Sequence, residues 1–74
     1  MIDYKATGIQ IRKIMDEKGV SVREVQDFLQ LESVQAIYNW LYGQSLPTVS
    51  NLFLLAELLD VKMDDLIVGE TTKN

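Results

Sequence analysis

The apolar positions of the chain fall into five short runs, each with helical rather than alternating spacing. Ile11, Ile14 and Met15, with Gly8 before them, recur at i, i+3 and i+4. Thr7 can cap this run, and Gly19 can close it in a left-handed conformation, which predicts a first helix over about 8–18. Ser21-Val22-Arg23-Glu24 reads as a capping box, the Ser21 hydroxyl taking the Glu24 amide and the Glu24 carboxylate returning to the Ser21 amide. The stripe Val22, Val25, Phe28 and Leu29 predicts a second helix over about 22–29. Ser33 caps a third, about 34–42, whose core face is Ile37, Trp40 and Leu41 and which stops at Gly43. After the loop Gln44-Ser45-Leu46-Pro47, Thr48 caps a fourth helix, about 49–59, with core face Val49, Leu52, Leu55, Ala56 and Leu59. A short fifth helix spans 63–68, with Asp64 and Asp65 in its first turn, where the helix dipole favours them. The pattern is all-α, with an N-terminal arm over 1–6, a domain over 7–68 and a flexible tail over 69–74.

Composition narrows the chemistry. Seventy-four residues leave room for one core, and a single Pro with four Gly suits helices better than a turn-rich β fold. There is no Cys and no His, so disulfides, thiolate or imidazole metal sites and histidine-assisted nucleophiles are excluded. No Gly-rich phosphate loop is present, and an enzyme is not expected; neither is a cofactor. Asp60, Asp64 and Asp65 do not form a calcium loop, because Lys62 stands where a ligand is needed and the Gly and Glu of such loops are missing. The uncharged stretch 33–56 is interrupted by Gln35, Asn39, Gln44, Ser45, Pro47, Ser50 and Asn51, which argues against a membrane span. No signal-peptide pattern opens the chain, and the expectation is a cytoplasmic protein.

A net charge of −4 argues by itself against binding nucleic acid, since phosphate contacts are cationic. The distribution reverses that inference. Residues 1–23 hold five of the seven bases (Lys5, Arg12, Lys13, Lys18 and Arg23), while Ser33 to Ala56 carry no charge and residues 57–74 are acidic. With Ile37, Trp40 and Leu41 inward, the third helix turns Val34, Gln35, Tyr38, Asn39 and Tyr42 outward. Solvated helix faces normally carry Glu and Lys. A face of amides and phenols suits base edges instead, since Gln and Asn bond adenine bidentately. Candidate base readers are therefore Val34, Gln35, Tyr38 and Asn39. Candidate phosphate contacts are Arg12, Lys13, Ser21, Arg23, Ser33, Tyr42, Gln44 and Ser45. Leu54 and Leu58 lie off the fourth helix's core stripe; either the fifth helix covers them or they form a dimer seam with Ile67 and Val68.

The ordered series Gly19-Val20-Ser21 with Glu24-Val25, then Ser33-Val34-Gln35-Ala36-Ile37-Tyr38-Asn39-Trp40, Gly43, Leu46-Pro47-Thr48, Asn51-Leu52, Leu55-Ala56 and Asp65-Leu66 resembles the lambda-repressor-like, Xre-type helix-turn-helix regulators of bacteria and phages, in their small single-domain branch. The resemblance covers about residues 6–68. It implies a five-helix fold in which the second and third helices form the DNA-reading unit. It also implies phosphate binding where the second helix opens, at Ser21, Val22 and Arg23, and base reading at Val34, Gln35 and Asn39. Relatives often carry Gln at the position of Val22, Pro at Val34, Glu at Leu41, and Gly at Gln30 and Asp60. The function implied is a sequence-specific transcriptional regulator, a repressor binding double-stranded DNA as a homodimer. The alternative is a protein-interaction module on the same fold, such as a toxin–antitoxin or phage regulatory partner.

Overall fold

The computed structural model describes residues 1–69, which form α1 (Tyr4–Lys18), α2 (Val22–Leu29), α3 (Gln35–Leu41), α4 (Val49–Leu59) and α5 (Met63–Leu66). Several of the boundaries have a local cause. Gly19 ends α1 at φ 68°, its amide on the Asp16 carbonyl and that of Val20 on Met15. The capping box of α2 forms as expected: Glu24 N donates to Ser21 Oγ at 3.1 Å and Ser21 N donates to Glu24 Oε1 at 2.9 Å. Thr48 Oγ1 accepts from Asn51 N at the start of α4. The Asp65 carboxylate takes the Lys62 amide at the start of α5.

The first helix begins four residues earlier than its apolar spacing suggests. Asp3 is the cap, its carboxylate accepting the Ala6 amide at 2.9 Å, so residues 4–6 are the first turn of α1 rather than part of an arm. Thr7 does not cap. It is buried, and its hydroxyl donates to the Val68 carbonyl and accepts from the Val68 amide. Asp3 N also donates to that carbonyl, and Ile2 pairs with Gly69 in an antiparallel bridge. This stitching draws the chain straight after Leu66, which is why α5 is shorter than the expected 63–68 and Ile67 is extended. Of the expected tail, Gly69 is in that bridge and residues 70–74 lie outside the described residues.

The core gathers Ile11, Ile14 and Met15 of α1, Val25 and Leu29 of α2, Ile37, Trp40 and Leu41 of α3, and Leu55, Ala56, Leu59 and Leu66 from α4 and α5. Fully burying one such side chain contributes about 1.5–3 kcal/mol. Four residues of the expected core stripes are outside it: Val22 and Leu52 are half-buried against its edge, and two others are exposed. Phe28 is 46% exposed and Val49 is 76% exposed. Periodicity places each beside its stripe, but no neighbouring helix closes over it. Trp40 is buried, as its position beside Ile37 and Leu41 predicts.

Helix α1 crosses α3 at close range, and Gly8 makes the crossing. A Cβ there would overlap the carbonyl oxygens of Trp40 and Leu41. Gly43, at φ 77°, lies against the backbone of Lys5 in the same way. These contacts fix α3 on α1 with one face inward and the other free.

Candidate nucleic-acid interface

The free face of α3 carries two pairs of side chains, each spaced by one turn. Gln35 Nε2 donates to Asn39 Oδ1 at 3.1 Å. The rings of Tyr38 and Tyr42 stack, with centroids 5.9 Å apart and planes 21° from parallel. Gln35 and Tyr42 are exposed, and Val34, Tyr38 and Asn39 are half-buried. The helix contributes no carboxylate to this surface. Its backbone is tied at both ends. Ser33 Oγ accepts the Gln35 amide at 3.3 Å, while Gln44 and Ser45 donate their amides to the Asn39 carbonyl at 2.8 and 3.3 Å. The loop after α3 is thereby fixed to the residue in the middle of the face.

An open groove of about 450 Å³ runs beside the N-terminus of α3, where the end of α1 meets the start of α2. Arg12, Ser21 and Arg23 line it together with Val34 and Tyr38, so three of the expected phosphate contacts and two of the expected base readers share one site. Neither Arg12 nor Arg23 is paired with a carboxylate among the described residues, although Asp16 also lines the groove. Within the first turn of α2, the capping box occupies the amides of Ser21 and Glu24. Among the described residues nothing accepts from the Val22 and Arg23 amides, which point along the helix axis, as the first N–H groups of a helix do. Lys13 is exposed and does not line this groove.

One basic residue escaped the sequence reading as a site candidate. Lys5 is exposed and packs by its backbone against Gly43, at the far end of α3 from Arg12 and Arg23. Positive charge therefore flanks the helix at both ends. The only advance signal was its place in the basic N-terminal third; the contact with Gly43 spans 38 positions and has no local signature.

Leu54 and Leu58 are half-buried against the core, and Ile67 and Val68 are half-buried with Val68 held through its backbone. No cluster of acidic, Cys or His side chains fit to hold a metal ion occurs among the described residues, and none of their helices is long and apolar enough to cross a membrane.

A small all-α domain in which two short helices meet through a tight turn, the second with a free polar face, is a helix-turn-helix. The model of the HTH_3 helix-turn-helix family matches residues 11–66, and the chain belongs to that lambda-repressor-like, Xre-like family. The family consists of DNA-binding domains, generally of transcription regulators, rather than enzymes. No curated protein and no solved structure matches the chain.

Proposed function

We propose that the protein is a sequence-specific, cytoplasmic transcriptional repressor that sets α3 in the major groove of an operator and binds two half-sites as a homodimer. The observation that carries this reading is the carboxylate-free face of α3, with the Gln35–Asn39 amide pair at its centre. A major groove about 12 Å wide accepts one helix, and amides are the side chains that match an adenine edge. Arg12 and Arg23 at one end and Lys5 at the other supply the phosphate contacts that set the helix in register. The unused Val22 and Arg23 amides add a backbone donor pair where relatives often use a Gln side chain. Tyr42 and Gln44, exposed at the C-terminal end of α3, reach the opposite strand's backbone.

Selection of duplexes from a random library at two salt concentrations tests the proposal. The expected result is a recurrent two-fold motif whose affinity falls steeply with salt. Recovery of no preferred sequence at either concentration would overturn it.

A further inference from the structure

Thr7 is the one buried polar side chain among the described residues, and its hydroxyl is spent entirely on Val68. Thr7 Oγ1 accepts the Val68 amide at 3.0 Å and donates to the Val68 carbonyl at 3.2 Å. The Asp3 amide donates to the same carbonyl at 2.8 Å, and the Asp3 carbonyl takes the Thr7 amide at 2.9 Å. One turn further along α1, Gln10 Nε2 donates to the Asp65 carbonyl at 3.0 Å. Lys5 lies between Asp3 and Thr7, and its backbone is seated on Gly43, where a Cβ would come within 2.7 Å of the Lys5 Cα.

We propose that Thr7 and the Val68 peptide form a clasp that positions Lys5 for its phosphate contact and steadies the C-terminal end of α3. The proposal rests on the reading of α3 as the DNA-reading helix, and adds to it a positioning residue that touches no DNA. A lysine is a point charge on a flexible stem, so its reach is set by where its backbone is held. The first turn of a helix frays readily, because its amides lack partners within the helix. In α1 that turn is capped by the Asp3 carboxylate on the Ala6 amide, an exposed bond that water contests. The Thr7–Val68 pair adds a buried tie, where a hydrogen bond is electrostatically stronger. Without it residues 3–7 can fray, and Lys5 leaves its seat on Gly43. The loss reaches α3 through the next bonds, since Gly43 donates its amide to the Trp40 carbonyl at 3.1 Å and Gln44 to the Asn39 carbonyl at 2.8 Å. A segment 61 positions from Thr7 thereby helps to set the DNA-facing end of the molecule.

Salt titrations of DNA binding by the full chain, run well below the melting temperature of every variant, test the clasp. Thr7→Val keeps the side chain's shape and loses its hydroxyl. It is expected to weaken binding to a selected and a scrambled duplex by the same factor. The slope of log affinity against log salt should fall by up to about 1, as in Lys5→Ala. In the Thr7→Val background, Lys5→Ala should add little, because both remove one contact. Thr7→Ser keeps the hydroxyl but leaves a small cavity, and should lose stability while retaining the wild-type slope. Wild-type slope and affinity in Thr7→Val, or full additivity with Lys5→Ala, overturns the proposal and leaves DNA binding intact. So does a slope in Thr7→Ser as low as that of Thr7→Val, which would make the effect one of packing. Hydrogen exchange reads the same coupling without DNA: Thr7→Val should speed exchange at Gly43 and Gln44 more than at amides within α2 and α4. Unchanged exchange at Gly43 and Gln44 overturns the clasp. Faster exchange there, in a protein that selects no duplex, keeps the clasp's hold on α3 and removes the repressor.

Discussion

Gln35 and Asn39 hydrogen-bond to each other across one turn of α3, at 3.1 Å, and so present a single polar unit. The bond leaves the Gln35 Oε1 acceptor and the Asn39 Nδ2 donors unused among the described residues. An adenine edge offers the complementary N6 donor and N7 acceptor, whereas guanine offers two acceptors. Gln35→Ala or Asn39→Ala should each cost about 1–3 kcal/mol of discrimination at one base pair. Because the two side chains hold each other, the double variant should cost less than the sum. Anisotropy titrations against an operator and its single-base variants measure both quantities. Unchanged base preference in both single variants would refute the assignment.

Arg12 and Arg23 act on affinity rather than on sequence. Either change to Ala should weaken binding to all duplexes by a similar factor and reduce the slope of log affinity against log salt by about 1. Lys5→Ala should do the same from the other end of α3, while Lys13→Ala, outside the groove, should change the slope less. The check is a salt titration of each variant on operator and scrambled duplexes.

Among the described residues, Gln30 and Asp60 are the two non-glycine residues in the left-handed region, at φ 57° and 58°, each closing a helix. An L side chain there is strained by about 1–2 kcal/mol, less for Asp, which visits this region more readily. Part of that gain is offset by the greater chain entropy of glycine. Gln30→Gly should therefore stabilise the fold by about 1 kcal/mol, and Asp60→Gly by less. For a domain of this size, 1 kcal/mol corresponds to a rise of about 4–8 °C in Tm, measurable by calorimetry. A fall in Tm for Gln30→Gly would contradict this account.

Gly8 permits no side chain. The added methyl of Gly8→Ala would meet the carbonyls of Trp40 and Leu41, so α1 must move off α3. Overpacking of this kind costs about 1–3 kcal/mol or more. Urea unfolding should show the lower midpoint, and DNA affinity should fall as the reading helix loses its support.

Thr7→Val keeps the volume of the side chain and removes its hydroxyl. The Val68 carbonyl still accepts from Asp3, but the Val68 amide loses its acceptor. An unsatisfied amide of this kind costs about 1–3 kcal/mol. Hydrogen exchange at Val68 should accelerate more than exchange at core amides of α3.

Much of the fold is legible in local pattern. The caps at Ser21 and Thr48, the left-handed Gly19 and the inward trio Ile37, Trp40 and Leu41 all follow from spacing, because each depends on neighbours within one or two turns. The start of α1 does not. Thr7 and Asp3 are both good caps by residue type, and the choice is settled by Val68, 61 positions away, which needs the Thr7 hydroxyl. Val49 and Phe28 show the same limit, since a periodic stripe defines a direction but not whether another helix lies there. On the candidate interface, the spacing of Gln35 and Asn39 was enough to put them on one face. Their mutual hydrogen bond depends on side-chain rotamers, and the position of Lys5 depends on how α1 crosses Gly43.

The pairing of Ile2 with Gly69 brings the two ends of the described chain together, on segments that α1 and α5 already hold. A short linker joining these residues would close the backbone into a ring without bending any helix. New ends could then be opened in the connection between α4 and α5, giving a permuted chain whose reading helix is untouched.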